Sequence, residues 1–346
     1  MKPLNVAIVG ATGAVGAELI QLLEERRFPV GELRLLASAK SAGKRITACG
    51  RELEVEAATA EAFHGIDVAF FSAGGSVSKS LAPEAAKAGA IVIDNTSAFR
   101  MDPGVPLVVP EVNAEEALKH RGIIANPNCS TIVMLVALSP LHRAARLRRV
   151  IVSTYQAVSG AGMKAIDELI GQVRAYAGGG QLEAKVLPVA SQERHYPILF
   201  NVIPQVDVFD EAGYTREEWK MVRETHKILG DSTIGITATT VRVPVLRSHS
   251  ESIYIETERR LTVEQAREIL KSAPGVALVD DPAEARYPMP IDAAGRDEVF
   301  VGRIRPDTAV ETGLNLWVVG DQIRKGAALN AIQIAEYLIE RGALGA

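Results

Sequence analysis

Cysteine is scarce in this chain: there are two, Cys49 and Cys129, among 346 residues. A disulfide framework is therefore excluded as the basis of the fold, and so sparing a use is expected of a reducing compartment, the cytoplasm. Charge of one sign is not in excess. The 38 Lys and Arg are nearly matched by 42 Asp and Glu, a formal net charge of −4, which gives no reason to expect nucleic acid or an anionic membrane as partner. Long hydrophobic runs are missing too. The most apolar segment, Ile132 to Leu138, is interrupted by Ser139-Pro140, far short of the roughly 20 residues a membrane span needs. The start, Met1-Lys2-Pro3-Leu4, lacks the apolar core and cleavage site of a signal peptide. No internal repeat or low-complexity linker breaks the chain, and its ordinary soluble composition is long enough for two domains.

What is present starts with a buried-strand pattern, Leu4 to Val9, followed by Gly10-Ala11-Thr12-Gly13-Ala14-Val15-Gly16 and the helical Ala17 to Leu23. Glycine lets a backbone turn tightly and approach a pyrophosphate, and a helix N-terminus favours that anion. The spacing is G-x-x-G-x-x-G rather than the usual G-x-G-x-x-G, so the strand-turn-helix context carries the dinucleotide reading. The alternative is a tight turn with no ligand. Further strands at 32–37, 68–71 and 91–94, with a helix at 83–88, predict a parallel sheet with right-handed crossovers. Beyond residue 150, β-branched and aromatic segments such as 150–155 and 252–257 predict a mixed or antiparallel sheet. Residues 329–339 have the pattern of an amphipathic helix, expected to return to the first domain.

The second strand ends in Ala37-Ser38-Ala39-Lys40-Ser41 with no acid. An NAD site places Asp or Glu there for the ribose 2′-hydroxyl. Ser38, Lys40 and Ser41 suit a 2′-phosphate instead, hence NADP, unless this is only a solvated loop. Ser72, after the third of these strands, belongs to a second candidate cofactor loop.

Cys129 lies in Asn126-Pro127-Asn128-Cys129-Ser130-Thr131, just ahead of the apolar helix. A thiol in the first turn of a helix meets free N–H groups and the positive end of the dipole, which favours the nucleophilic thiolate. A thiolate together with a nicotinamide cofactor points to thioester chemistry with hydride transfer at the same carbon. A buried structural cysteine is the alternative, and it is the expectation for Cys49. Six histidines compete to be acid or base. His64, His120, His142 and His226 are expected on exposed helices or loops; His249 leads among small polar residues, with His195 behind it. No metal site is expected.

These motifs together resemble the aspartate-semialdehyde dehydrogenases. The likeness rests on the glycine turn, Pro127-Asn128-Cys129-Ser130-Thr131, Tyr155-Gln156-Ala157-Val158-Ser159-Gly160-Ala161-Gly162, Glu217-Glu218-Trp219-Lys220, and Arg242-Val243-Pro244-Val245 leading to Ser248-His249-Ser250. The compact spacing from Gln156 to Glu217 resembles the Gram-positive-like branch. The resemblance implies an α/β fold: a Rossmann-type NADP-binding domain, residues 1–128 with 313–346, and a mixed α+β catalytic and dimerisation domain, 129–312. It implies NADP-dependent reductive dephosphorylation of 4-phospho-L-aspartate to aspartate semialdehyde, in synthesis of lysine, methionine, threonine and isoleucine, by a homodimer or homotetramer.

The resemblance also implies roles. Cys129 would be the nucleophile, Gln156 would position the thioester carbonyl, and His249 would be the acid/base that protonates the tetrahedral oxygen. Arg242 would grip the α-carboxylate and Glu217 face the α-ammonium, while Arg100 and Lys220 would hold the departing inorganic phosphate. Gly10, Thr12, Gly13, Ala14, Val15, Ser38, Lys40, Ser41, Ser72, Ser159, Gly160 and Gln322 would bind the cofactor, Gln322 standing where the family often has Asn. The runner-up is an N-acetyl-glutamyl-phosphate type of reductase, whose acetylated amine has no charge for Glu217. A glyceraldehyde-phosphate type of dehydrogenase and a non-catalytic NADP sensor are further rivals. One spacing resists: Arg242 and His249 are an odd number apart, so one continuous strand would point them to opposite faces. With Pro244 between them, the strand is expected to bend or end between Pro244 and Ser248.

Overall fold

The computed structural model describes residues 3–345. It divides into two compact units: one runs to Asn128 and resumes at Gly326, and the other is Cys129–Lys325.

The first unit contains β1 (Leu4–Val9), α1 (Ala14–Glu25), β2 (Val30–Ala37), β3 (Arg45–Ala48), β4 (Arg51–Ala57), β5 (Val68–Phe71), α2 (Gly75–Lys87), β6 (Ile91–Asp94), a short α3 (Pro110–Asn113) and β7 (Ile123–Ala125). The strands are ordered β3-β4-β2-β1-β5-β6-β7, all pairs parallel except the β3/β4 hairpin. The central strands are the most apolar, β5 (Val68–Phe71) being buried at every position, as expected of parallel strands covered on both faces. The chain winds outward from β1 through β2 on one side and from β5 through β6 on the other. That reversal opens a crevice at the carboxyl ends of β1 and β5, where open α/β sheets bind ligands. The helix Leu329–Glu340 packs Ile332, Ala335 and Leu338 into the core that holds Leu19, Leu22 and Leu23 of α1. Arg26 pairs with Glu336 at 2.7 Å across this packing.

Cys49 and Gly50 form the tip of the β3/β4 hairpin, both with positive φ, 50° and 69°. Two such residues in succession make the turn that matches strand twist. Burial and the nearby Glu24 raise the Cys49 thiol pKa, against a smaller effect of Arg51, so this thiol is held away from reactivity.

The second unit contains α4 (Cys129–Ala145), β8 (Leu147–Gln156), α5 (Met163–Ala177), α6 (Arg216–Leu229), β9 (Gly235–Arg242), β10 (His249–Thr257), α7 (Val263–Lys271), β11 (Val276–Leu278), a short α8 (Pro290–Ala293), β12 (Val299–Pro306) and β13 (Gly313–Gly320). Its sheet, β11-β12-β13-β10-β8-β9, is mixed: β8/β9 and β11/β12 are parallel and the other pairs antiparallel. Residues 313–325, expected with the first domain, lie in this unit instead. The reason is β13, which pairs along its length with β10 and at its other edge with β12.

Helix α4 lies close against the sheet. A Cβ at Gly320 would come within 2.8 Å of Val133, so glycine is what permits the approach. The helix is buried without interruption from Ser130 to Leu141 and continues through Pro140. A helix-interior proline costs about 3 kcal/mol, an amount that burial of this apolar segment on nearly all sides offsets. Helix α6 begins with a capping box between Thr215 and Glu218. Glu218 also accepts the Thr240 N–H at 2.9 Å, which fixes the first turn of α6 against β9.

Candidate active site

In the first unit, recognition groups gather at the ends of β1 and β5. Gly10 has φ +95°, and a Cβ there would lie 2.9 Å from Ser72 Oγ. A Cβ at Gly16 would lie 2.3 Å from the Gly10 carbonyl oxygen, so the turn closes only with glycine at both places. Gly13 caps α1 without a side-chain hydrogen bond, and no acid occupies the first helical turn. That leaves a positive helix end aimed at the crevice, suited to a pyrophosphate. Thr12 and Gly13 are exposed, and Ala14 and Val15 half-buried, on this turn. Ser38 and Lys40 are exposed and Ser41 half-buried on the turn after β2, where Ser41 N–H bonds the Ser38 carbonyl at 2.8 Å.

Arg100 is buried in the same unit. Its Nε donates to the Asn126 carbonyl at 2.9 Å and its Nη2 to the Asn95 carbonyl at 2.7 Å. Asn126 is held in turn by Asn95 and by Asn330 of the C-terminal helix, at 2.7 and 2.6 Å. The segment leading into Pro127 is thus tied on both sides.

In the second unit, Cys129 is the first residue of α4 and is partly buried. Its neighbour Ser130 accepts a hydrogen bond from Gln156 Nε2 at 3.0 Å. The sheet then explains how residues of odd spacing share a face. β9 ends at Arg242, slightly before the expected break, and a new strand begins at His249 on the other side of β8. Parallel register places Arg242 beside Gln156. Antiparallel register pairs Ser250 with Tyr155, so the next step brings His249 beside Gln156. Three strand ends therefore present Arg242, Gln156 and His249 in one row. Ser248, with φ 78°, makes the return; its N–H donates to Gln322 Oε1 at 2.8 Å, and Gln322 Nε2 donates to Ser159 Oγ.

Charge is concentrated in this row. Glu217, buried in the first turn of α6, accepts from Gln156 Nε2 at 3.2 Å and from Lys220 Nζ at 3.0 Å. Lys220 also pairs with Asp207 at 3.0 Å. Burial would lower the Lys220 pKa, but the two carboxylates outweigh it and the net shift is upward, so this ammonium stays charged. Burial lowers the pKa of Arg242, while Glu217 and Cys129 act the other way. Arg242 Nη1 donates to the Ala157 carbonyl at 2.7 Å. His249 is fully buried; burial first, then Arg242, bring its pKa down to about 3, against Glu217.

The remaining histidines lie elsewhere. Only His64 is exposed; His120, His142 and His226, expected on the surface, are half-buried because each bonds a backbone group nearby. His195 is half-buried in the irregular chain between α5 and α6. Sequence reasoning missed three participants: Ser130, Asp207 and the backbone of Ala157. Ser130 is adjacent to the thiol and was visible as part of that motif. Asp207 and Ala157 had no sequence signal, since one acts from a distant loop and the other through its peptide groups. Among the described residues no group of three or more His, Cys, Asp and Glu could hold a metal ion, and no helix is long and apolar enough to cross a membrane.

Two family models divide the chain much as the structure does. "Semialdehyde dehydrogenase, NAD binding domain" matches residues 5–120, and "Semialdehyde dehydrogenase, dimerisation domain" matches 138–325. By class this is a semialdehyde dehydrogenase, an oxidoreductase with a Rossmann-type NAD(P)-binding domain. Relatives narrow the class. The aspartate-semialdehyde dehydrogenase of Aquifex aeolicus is 58% identical over 98% of both chains. That of Bacillus subtilis is 55% identical over 97% of this chain and 98% of its own. The structure of aspartate semialdehyde dehydrogenase II from Vibrio cholerae, complexed with ASA, superposes with a TM-score of 0.93 at 48% identity, covering 98% of this chain and 99% of that one. The chain belongs to the aspartate-semialdehyde dehydrogenase family.

Proposed function

We propose that this chain converts 4-phospho-L-aspartate to L-aspartate 4-semialdehyde with release of inorganic phosphate, using NADPH, as a step toward lysine, methionine, threonine and isoleucine. The observation that carries the reading is the buried row of Arg242, Gln156 and His249 beside the Glu217–Lys220 pair. It offers a cation for a carboxylate and an anion for an ammonium within one unit that also carries a thiol at a helix start. An amino acid bearing an activated side-chain acyl group fits that charge pattern.

In this reading Cys129 attacks the acyl carbon and phosphate departs. Gln156, fixed by Ser130 and Glu217, orients the thioester carbonyl. Arg242 holds the α-carboxylate and Glu217 the α-ammonium. Arg100 and Lys220 are the cations for phosphate; Asp207 steadies Lys220. The glycine turn, with its uncapped helix end, suits the cofactor pyrophosphate at Gly10, Thr12, Gly13, Ala14 and Val15, with Ser72 alongside. Ser38, Lys40 and Ser41 supply donors and a positive charge for a 2′-phosphate, which supports NADP over NAD. Ser159, Gly160 and Gln322 are assigned to the nicotinamide end. When bound, the reduced nicotinamide supplies the hydride that converts the thioester to the aldehyde level.

A homodimer formed through the second unit is supported by the aromatic pair on one face of its sheet, where the Tyr155 and Trp317 rings meet tilted by 48° with centroids 5.4 Å apart and Tyr155 is 37% exposed. The sparing use of cysteine supports the cytoplasm, and the compact stretch between Gln156 and Glu217 supports the Gram-positive-like branch. Comparing reduction of 4-phospho-aspartate with that of N-acetyl-glutamyl phosphate tests the substrate. The charged amine should be preferred by at least ~10-fold in kcat/KM, as a charge-assisted contact implies. Faster reduction of the acetylated compound would sink the assignment.

A further inference from the structure

Lys220 faces two carboxylates, and they are held differently. Glu217 Oε2 meets the ammonium at 3.0 Å from the preceding turn of α6, and its other oxygen accepts from Gln156 at 3.2 Å. This side chain is 7% exposed and fixed at both oxygens. Asp207 Oδ2 meets the ammonium at 3.0 Å from an irregular segment, and its side chain is 31% exposed. Its Oδ1 accepts the N–H of its own neighbour Val208 at 2.8 Å. The segment is tied on both sides. Ile203 and Arg242 exchange backbone hydrogen bonds at 2.9 and 2.8 Å, and the Val208 carbonyl accepts the Arg216 N–H at 2.9 Å. Asp207 itself has φ 70°, a left-handed conformation that Asp tolerates better than most residues. Rotation of its side chain therefore frees Lys220 without moving the backbone.

The charges around Lys220 oppose the anion assigned to it. An ammonium has three N–H donors, and two of them already point at carboxylates. One cation against two anions leaves the group negative before phosphate arrives. Burial would discharge the lysine, but the two carboxylates overcome it and raise its pKa, so the ammonium is present whether or not phosphate is. Glu217 alone places Lys220, three residues along the same helical face. A second, more exposed carboxylate adds repulsion toward phosphate.

We propose that the Asp207 carboxylate is an exchangeable counter-ion for Lys220: it occupies the ammonium in the ligand-free site, swings away when phosphate binds, and returns as phosphate leaves. Asp207 acts on phosphate through Lys220, so it is a positioning residue. This deepens the assignment of Lys220 to phosphate and rests on it. The exchange makes and breaks no covalent bond. A partner that must be displaced lowers the apparent affinity of the ligand that displaces it. The phosphate site is weakened accordingly, which favours release of phosphate once the thioester has formed and before hydride arrives.

The test is the KM for inorganic phosphate in NADP-dependent oxidation of aspartate semialdehyde. Asp207→Asn keeps the left-handed conformation and the acceptor for Val208 but removes the charge. The KM for phosphate should fall ~5-fold, the upper range for a partly exposed ion pair. Phosphate should inhibit the forward, NADPH-consuming reaction more strongly by the same factor. Asp207→Gly also accepts this backbone conformation and should shift both constants in the same direction. A contact that merely braces Lys220 predicts the opposite sign, a phosphate KM that rises when the contact is lost. A rise or no change in either folded variant overturns the proposal. The unaltered protein gives a second arm. A crystal structure with phosphate on Lys220 should show Asp207 Oδ2 more than about 4 Å from Nζ, outside ion-pair reach, and an intact pair beside bound phosphate overturns the exchange. Lys220→Met separates the two levels. A raised phosphate KM in Lys220→Met, with no fall in the Asp207 variants, overturns the exchange alone. An unaltered phosphate KM in Lys220→Met, or crystals whose phosphate avoids Lys220, overturns the assignment beneath it.

Discussion

The two units build recognition from different materials. In the first, the glycine turn offers backbone: N–H groups at the start of α1 and a path so close that a Cβ at Gly16 would sit 2.3 Å from a carbonyl. In the second, the site is made of side chains drawn from α4, β8, α6, β9 and β10, with Gln156, Glu217, Arg242 and His249 each fixed by a hydrogen bond. A backbone site tolerates any side chain that stays clear of the turn and fails when bulk is added. A side-chain site is unaffected by bulk at a distance but fails when one functional group is exchanged. The difference predicts that substitutions in the glycine turn act on cofactor affinity and stability, while those in the row of functional side chains act on the chemical step.

The largest effect should come from Cys129→Ser. Turnover is expected to fall by ~10³-fold or more, as loss of a nucleophile does, while NADPH binding by fluorescence titration stays within a factor of two or so. Unchanged turnover would remove the nucleophile assignment. In the first unit the matching break is Gly16→Val, which forces side-chain atoms into the backbone of Gly10 and Ala11. Overpacking of that kind costs about 1–3 kcal/mol, so a lower unfolding midpoint and weaker NADPH binding are expected. A fully stable variant with normal affinity would mean that the turn is not fixed as described.

Glu251 sharpens the comparison from within the second unit. It is fully buried two residues beyond His249, with neither carboxyl oxygen hydrogen-bonded. Burial raises its pKa well above the ordinary 4.5. The folded state therefore holds this proton more tightly than the unfolded state does. The stability it contributes is complete below about pH 4.5 and is lost as pH rises toward the native pKa. Glu251→Gln cannot ionise, so its stability relative to the parent should rise from pH 4.5 to pH 8, by about 1.4 kcal/mol for each pH unit between 4.5 and the native pKa. Urea unfolding at the two pH values decides this; a margin that does not grow with pH contradicts it. The smallest effect is expected from Lys40→Ala on the exposed turn of the first unit. The NADP over NAD preference in kcat/KM should drop ~10-fold, the lower end for a charge-assisted contact. An unchanged ratio would leave Lys40 a surface residue.

The first sheet was legible in the sequence for a physical reason. Its central strands are buried on both faces, so Val6 to Val9 and Val68–Phe71 appear as plain apolar runs, and the glycine turn is contiguous. The second unit was legible only in outline. Arg242 and His249 looked incompatible because a strand alternates its faces, and the resolution lies in register: the two belong to different strands on either side of β8, and no local pattern records that pairing. The position of 313–325 was missed for the same cause, since the partner of β13 is β10, some 60 residues earlier in sequence. Roles played by peptide groups, as at Ala157, leave no residue-type signal at all. Resemblance to a family carried the site where local chemistry could not.

The central claim is that Cys129 carries an acyl group between phosphate and hydride chemistry. Its most direct test is the reverse reaction: purified protein, aspartate semialdehyde, NADP and inorganic phosphate, followed by NADPH absorbance. NADPH should accumulate only when aldehyde and phosphate are both present, at a rate that saturates with phosphate. Sustained formation at the same rate without phosphate, or none with all components present, would contradict it.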